Sequence, residues 1–384
     1  MTKTMTPPAY FMPLVALAVV VTLSLAACGE SGLGTGTTPP PGGSDQLDPL
    51  DPTLAYLTEV EAAERLRVLK NDAVSIGNGL IDGSVWAATQ GVPTEPSAPG
   101  DPMLEPEWAP VPYLNLRDEA GTTSLATGTF TFDEDSWTWR YGAAPADALI
   151  VSWRSLSTDA AAMELSVTWA PVTSVTNHPS IDNGSVVQVP TGWRVRVLRN
   201  GVAIVDLDAS FAFRTCNGVR MAEPTRLTFS GFLGDGAARV DVHELTLEAV
   251  GEEAFELRAD VDVRSGSLQL GVAAAISASA ELERDSGCWP TQLDALSMTG
   301  SLQVTGPGPL TLIRGDISAV ANDTVGGYDV TLRNGRFVSG DKRVDIDATI
   351  NADAVDPGTR VFLTFAGGVV QNLVDFVEGS GLLD

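Results

Sequence analysis

Histidine is almost missing from this chain: His178 and His243 are the two in 384 residues. Neither has a cysteine, histidine or acidic partner at ligand spacing, so a zinc centre would have to assemble at long range. We read both as surface histidines. A Ser-His-Asp relay would need one of them as its base, and the chain has no G-x-S-x-G elbow. Lysine is nearly as scarce, at Lys3, Lys70 and Lys342. With 23 basic against 49 acidic residues, the net charge is −26 and the pI about 4.2. That balance excludes nucleic acid as a partner, since its binding needs a basic footprint. It also excludes electrostatic docking to anionic lipid. Cysteine occurs three times, without the CxxC spacing of a redox or zinc motif. The apolar run at residues 11–25 is shorter than the roughly 20 residues that span a bilayer.

That run, FMPLVALAVVVTLSL, follows a short segment carrying Lys3 and ends in Leu25-Ala26-Ala27-Cys28. An apolar stretch of this length before small residues reads as the core of a secretory signal, removed from the mature chain. Leucine, two small residues and a cysteine at its end resemble the lipobox of bacterial lipoprotein precursors. The resemblance covers about the first thirty residues. It implies that the Cys28 thiol carries diacylglycerol and that cleavage falls before it. The new N-terminus then receives another acyl chain, and the membrane is the partner that those chains enter. Each buried CH₂ contributes about 0.8 kcal/mol, so two or three chains hold a protein firmly. The same resemblance, with Gly29 after the cysteine, implies a cell-envelope protein sent to the outer membrane if the cell has one.

Cys216 and Cys288 are left over. An exported chain meets an oxidising compartment, where one disulfide between them is expected. Closing that loop of about 70 residues would stabilise by roughly 4 kcal/mol in the chain-entropy model. Two unpaired thiols are the alternative.

Four segments follow from composition. Residues 1–27 are the signal peptide, and 28–50 are a lipidated, flexible tether of Gly, Pro, Ser and Thr. Residues 51–121 hold a helix and a proline-rich strap. Asp51 and Pro52 suit a cap and first helical position. Leu54, Leu57, Val60, Ala63, Leu66, Leu69, Ala73 and Ile76 recur near one helical face, and Gly77-Asn78-Gly79 is the expected end. Prolines at 93, 96, 99, 102, 106, 110 and 112 exclude a regular element over 91–112.

Residues 122–384 change to a period of two. Phe130 and Phe132, a turn at 133–136, then Trp137, Trp139 and Tyr141 predict a hairpin pairing Phe132 with Trp137 and Phe130 with Trp139. Further strands are expected at 193–198 and 202–213 around Asn200-Gly201, at 255–263 and at 268–282. Others follow at 328–332 before an Asn334-Gly335 turn, at 344–350 and, last, at 361–365. Alternation between such turns argues for antiparallel strands with one wet and one dry face. The fold class is therefore mainly β, a large antiparallel sheet with one N-terminal helix. About a dozen strands must curl into a sandwich, a half-barrel or a barrel. An integral outer-membrane barrel fits poorly, because the later dry faces carry few aromatics for interfacial girdles.

Few residues point to chemistry. Ser339-Gly340-Asp341-Lys342 matches S-x-x-K, but it lies where a hairpin turn is expected rather than on a helix. Asp206/Asp208, Asp260/Asp262 and Asp345/Asp347 each share a strand face and could offer oxygen ligands to Ca²⁺, or simply be a solvated face. Phe130, Trp137, Trp139 and Tyr141 could form a platform for sugar rings or apolar ligands, or pack as core. The preferred reading is a non-enzymatic, lipid-anchored body that binds or scaffolds a protein or an apolar small molecule. An envelope hydrolase working on glycans with paired carboxylates is the alternative.

Overall fold

In the computed structural model the described residues are 53–81, 116–117, 123–124, 127–136, 138–155, 160–177, 184–285, 289–306, 311–321, 328–351 and 360–382. Strand β1 (Ala55–Tyr56) precedes helix α1 (Glu59–Ile81), and β2 (Leu116–Arg117) pairs with β3 (Thr123–Ser124) in a small separate ribbon. Next come β4 (Gly128–Asp133), β5 (Thr138–Gly142), β6 (Ala148–Arg154), β7 (Ala162–Trp169), β8 (Val172–Thr176), β9 (Val186–Pro190) and β10 (Gly192–Arg199). The long strands follow: β11 (Val202–Cys216), β12 (Val219–Gly234), β13 (Ala238–Ala249), β14 (Ala254–Ser265), β15 (Leu268–Asp285) and β16 (Trp289–Thr305). The chain ends through β17 (Thr311–Ala321), β18 (Tyr328–Ser339), β19 (Lys342–Ile350), β20 (Val361–Thr364), β21 (Val370–Asn372) and helix α2 (Leu373–Ser380).

The large antiparallel sheet expected from the alternation is present, with 19 strands. From β10 to β21 each strand pairs with its sequence neighbour, an unbroken meander. At its start the sheet closes on itself. β10 pairs with β7, and β8 continues β7 past Pro171 to reach β12 through Met221 and Thr176. The ring β7–β10–β11–β12–β8 is a small barrel. Phe130 and Phe132 of β4 and Val151 and Trp153 of β6 pack with Met163 of β7 and Ile204 of β11 in one core at this end of the sheet.

A second core lies at the other end of the meander. Leu57, Ala62, Ala63, Phe337, Val344, Leu363, Phe365 and Phe376 pack where both helices meet β18–β20. The Phe365 and Phe376 rings are 5.2 Å apart. Helix α1 crosses the ends of the strands rather than running along them. Glu61 meets Lys342 at the start of β19, Leu69 lies over Gly306 just after β16, and Gly79 abuts Ser265 at the end of β14. The helix rises roughly 27 Å from Glu61 to Gly79, and the five steps from β19 to β14 cover about 24 Å. The match makes α1 a bar closing one rim of the dry face.

Four local expectations are corrected. The helix begins at Glu59, not at Asp51 and Pro52. The Thr58 hydroxyl accepts from the Glu61 amide at 3.2 Å, and the Glu61 carboxylate accepts from the Thr58 amide at 2.9 Å, a reciprocal cap. Leu54 and Leu57 are buried instead by strand pairing, since β1 lies parallel to β19 and the Leu57 amide donates to the Arg343 carbonyl. Gly77-Asn78-Gly79 does not stop the helix, which continues to Ile81. Asn334-Gly335 is not a turn but a bulge inside β18. Leu332 opposes Ala348 and Gly335 opposes Ile346, and the hairpin turns later at Gly340-Asp341. The chain's final elements are β21 and the helix α2, beyond the strand expected to be last. Asn372 caps α2 by accepting from the Asp375 amide at 2.8 Å, and Gly381 ends it in the left-handed conformation.

The first turn of α1 carries a pH dependence. The hydrogen bond from Lys342 Nζ (2.6 Å), aided by the Thr58 amide, lowers the Glu61 carboxyl from 4.5 to about 2. A folded value below the unfolded one means that the contribution is whole above about pH 4.5 and is lost as pH falls towards 2. Hydrogen exchange in this turn, corrected for intrinsic rate, is expected to stay flat down to about pH 4.5 and then to accelerate. Lys342→Met should speed exchange above about pH 4.5 and shrink the acceleration below it, with the onset still set by the unfolded value; an unchanged profile would show that the pair does not hold the turn.

Candidate binding groove

The wet face of the meander was expected to be merely solvated. Across β15–β18 it forms an open groove of about 610 Å³. Its middle is a row of hydroxyls in register: Ser277 opposes Thr299, Thr299 opposes Ser318, and Ser318 opposes Thr331. Thr349 on β19 extends the row by one strand. Alternation puts all of them on one face, with Ile276, Ile317, Leu332 and Ala348 on the other. One pleat away, Asp316 opposes Arg333. The bulge supplies the third polar group there: Asn334, at φ 51°, donates from Nδ2 to Asp316 Oδ2 at 2.8 Å. Gly335 meets the Ile346 carbonyl so closely that a β-carbon would collide with it. A residue tolerant of positive φ followed by glycine is what such a bulge demands.

Charge elsewhere on the wet face is largely matched. Arg194 grips Asp206 through two hydrogen bonds, at 2.7 and 2.8 Å, and Arg196 adds a third contact at 3.3 Å. The hydrogen bond from Arg194 holds the Asp206 carboxyl below its ordinary value against partial burial. Burial would raise Asp241, but Arg239 and Arg264, each at 2.6 Å, outweigh it and hold that carboxyl low as well. Arg226 reaches Glu248 at 4.0 Å and Arg258 reaches Glu256 at 2.8 Å. Asp345 accepts from Tyr56 Oη at 2.6 Å and lies within 3.3 Å of both Arg336 and the buried Arg343. Arg314 and Arg333 are different. Neither makes an ion pair among the described residues, and both lie on the groove's face of β17 and β18.

The residues singled out from sequence fall in several places. Cys28, Trp137, His178 and Cys288 lie outside the described residues, and only the backbone of Trp139 and Tyr141 is described. Cys216 ends β11. Phe130, 8 % exposed, packs with Phe132, Val151 and Trp153. The hairpin register is corrected by two residues: Phe132 opposes Trp139 and Phe130 opposes Tyr141. Asp133 stays in the strand because its carboxylate accepts from the amides of Asp135 and Ser136 and binds Arg140. Ser339 and Lys342 close the β18–β19 hairpin as paired strand ends, with Ser339 buried and Lys342 turned to Glu61. His243 faces Asp262 at 3.1 Å on an exposed bulge. Among the described residues no cluster of three or more His, Cys, Asp or Glu could hold a metal ion, and one member of each acidic pair is engaged elsewhere: Asp206 by Arg194, Asp262 by His243 and Asp345 by Arg343.

The groove was missed because sequence reading of β15–β18 followed the apolar positions. The hydroxyls at Ser277 and Ser279, and at Thr299, were the alternate signal, but their alignment across strands depends on register. Asn334 can be tested directly. Asn334→Val is expected to destabilise by about 2 kcal/mol, because a β-branched residue resists positive φ. Asn334→Gly should stay within about 0.5 kcal/mol, both read from urea unfolding. Equal losses would discount the backbone's role.

No family model, no curated protein and no solved structure matches this chain.

Proposed function

We propose that this is a lipid-anchored protein of the cell envelope, acylated on Cys28, whose β body is a non-enzymatic binding module. The observation that carries the anchor is Leu25-Ala26-Ala27-Cys28 at the end of an apolar run. The body supports it in one respect: its first described residues are clamped to the sheet. β1 pairs with β19, and the Tyr56 ring lies 4.6 Å from the Arg343 guanidinium, so a pull from the N-terminal side enters the body through a paired strand.

The open groove with its hydroxyl row is a surface suited to hold a ligand by hydrogen bonds.

A disulfide between Cys216 and Cys288 belongs to the same reading. The β11–β12 and β15–β16 hairpins turn at the same end of the sheet, and their strands, 15 to 18 residues long, overreach the 12-residue strands of the β13–β14 hairpin between them.

Two measurements test this. Cys28→Ser is expected to move the protein from the membrane pellet to the soluble fraction; firm retention would refute the acyl anchor. Thiol labelling of the denatured, unreduced protein should modify neither Cys216 nor Cys288, and labelling of both would exclude the bridge.

A further inference from the structure

We propose that the groove across β15–β18 takes an extended acidic glycan, a chain of sugar rings bearing carboxylates. The proposal rests on the reading of the body as a binding module and names its ligand class. Ser277, Thr299, Ser318 and Thr331 stand one per strand, in register, along a line across the strands. Each hydroxyl both donates and accepts, as the hydroxyls of a sugar do. The row repeats at the inter-strand spacing of about 4.8 Å, close to the length of one ring in an extended glycan. A polysaccharide lying across the strands would therefore meet one protein hydroxyl per ring.

The acidic component follows from the arginines. The chain carries a net charge of −26, and most arginines of the described sheet face a carboxylate. Arg314 and Arg333 have no ion-pair partner among the described residues and share the hydroxyl row's face. Asp316, the carboxylate opposite Arg333, is engaged by Asn334 instead. The bulge thus orients the acid towards an amide and leaves a guanidinium free to bind a carboxylate by charge-assisted hydrogen bonds. A neutral glycan would use the hydroxyls alone, whereas an acidic one uses both sets of groups. The groove's openness, with no enclosing wall, suits a chain that continues past both ends rather than a single sugar.

The test titrates the full-length protein, in mild detergent, with tetragalacturonate, neutral cellotetraose and monomeric galacturonate. Tetragalacturonate is expected to bind about tenfold or more tightly than either of the others. Arg333→Gln, at the groove's lining, should weaken tetragalacturonate about tenfold and leave cellotetraose unchanged. Thr299→Val with Thr331→Val should weaken both tetramers, valine being chosen because it suits a strand. Thermal melting confirms that each variant is folded, and Arg226→Gln, three or more strands away, should change nothing. Absence of binding, equal binding of monomer and tetramer, or binding indifferent to all the groove variants would overturn the proposal. If Cys28→Ser still releases the protein from membranes while no sugar binds, the glycan is wrong and the anchor stands. Retention of Cys28→Ser alongside sugar binding would give the reverse.

Discussion

Backbone pairing between consecutive strands, uninterrupted from β10 to β21, is the constraint from which the other features of this molecule follow. A strand has a side-chain period of two, so a continuous register sorts every residue of the meander onto one of two faces. Valine, leucine, isoleucine and alanine collect on the dry face, and hydroxyls and charges on the wet one. A slip of one residue in any strand would exchange them. The bulges at Val242/Glu244 and around Asn334 absorb irregularities locally and keep both faces intact on either side.

A sheet sorted this way has to cover its dry face at both ends, and the two ends are covered differently. At the N-terminal side the sheet rolls up into the β7–β10–β11–β12–β8 ring, and β4 and β6 share a core with β7 and β11. At the C-terminal side it remains open, and the helices do the covering. α1 spans the strand ends from β19 to β14, while α2 is held against it. Arg67 donates to the Ser380 carbonyl at 3.1 Å and Lys70 to the Leu382 carbonyl at 2.7 Å. Two cations of α1 thus satisfy carbonyls at the last residue of α2 and just beyond it, where positive charge complements the helix dipole. Burial of Phe365 and Phe376 between these elements completes the second core.

The same sorting explains how a strongly acidic chain tolerates its charge. Like charges stand directly opposite at Arg239 and Arg264 and at Asp241 and Asp262, and the repulsion is offset one pleat along, where both arginines reach Asp241. Because most of the sheet's arginine–carboxylate pairs keep at least one partner in solvent, screening limits their worth, and their main effect is to fix register and discourage edge-to-edge association. The buried exception is Arg343, held by Asp345 and stacked on Tyr56. It is placed where the segment arriving from the N-terminal side joins the sheet, so the costliest charge to bury also specifies how that segment docks.

Much of the sheet is legible in the amino-acid pattern alone. Alternation at 255–263 and 268–282 locates β14 and β15, Asn200-Gly201 marks a real hairpin turn, and the aversion of S-x-x-K to a helix is readable from its glycine. The misreadings share one cause. Asn334-Gly335 has the composition of a turn, and Asp51-Pro52 that of a helix start, because local chemistry permits several outcomes at each place. In both cases long-range pairing chose: β19 continues alongside β18 past Asn334, and β1 is drawn onto the edge of β19. By itself, then, the sequence determined the class of fold and the sign of the charge, both set by composition or by short spacing. Only the tertiary structure decided which hydroxyls stand in line across β15–β18 and which arginines have no carboxylate partner among the described residues. Those are properties of register between strands up to several dozen residues apart, and no local pattern encodes them.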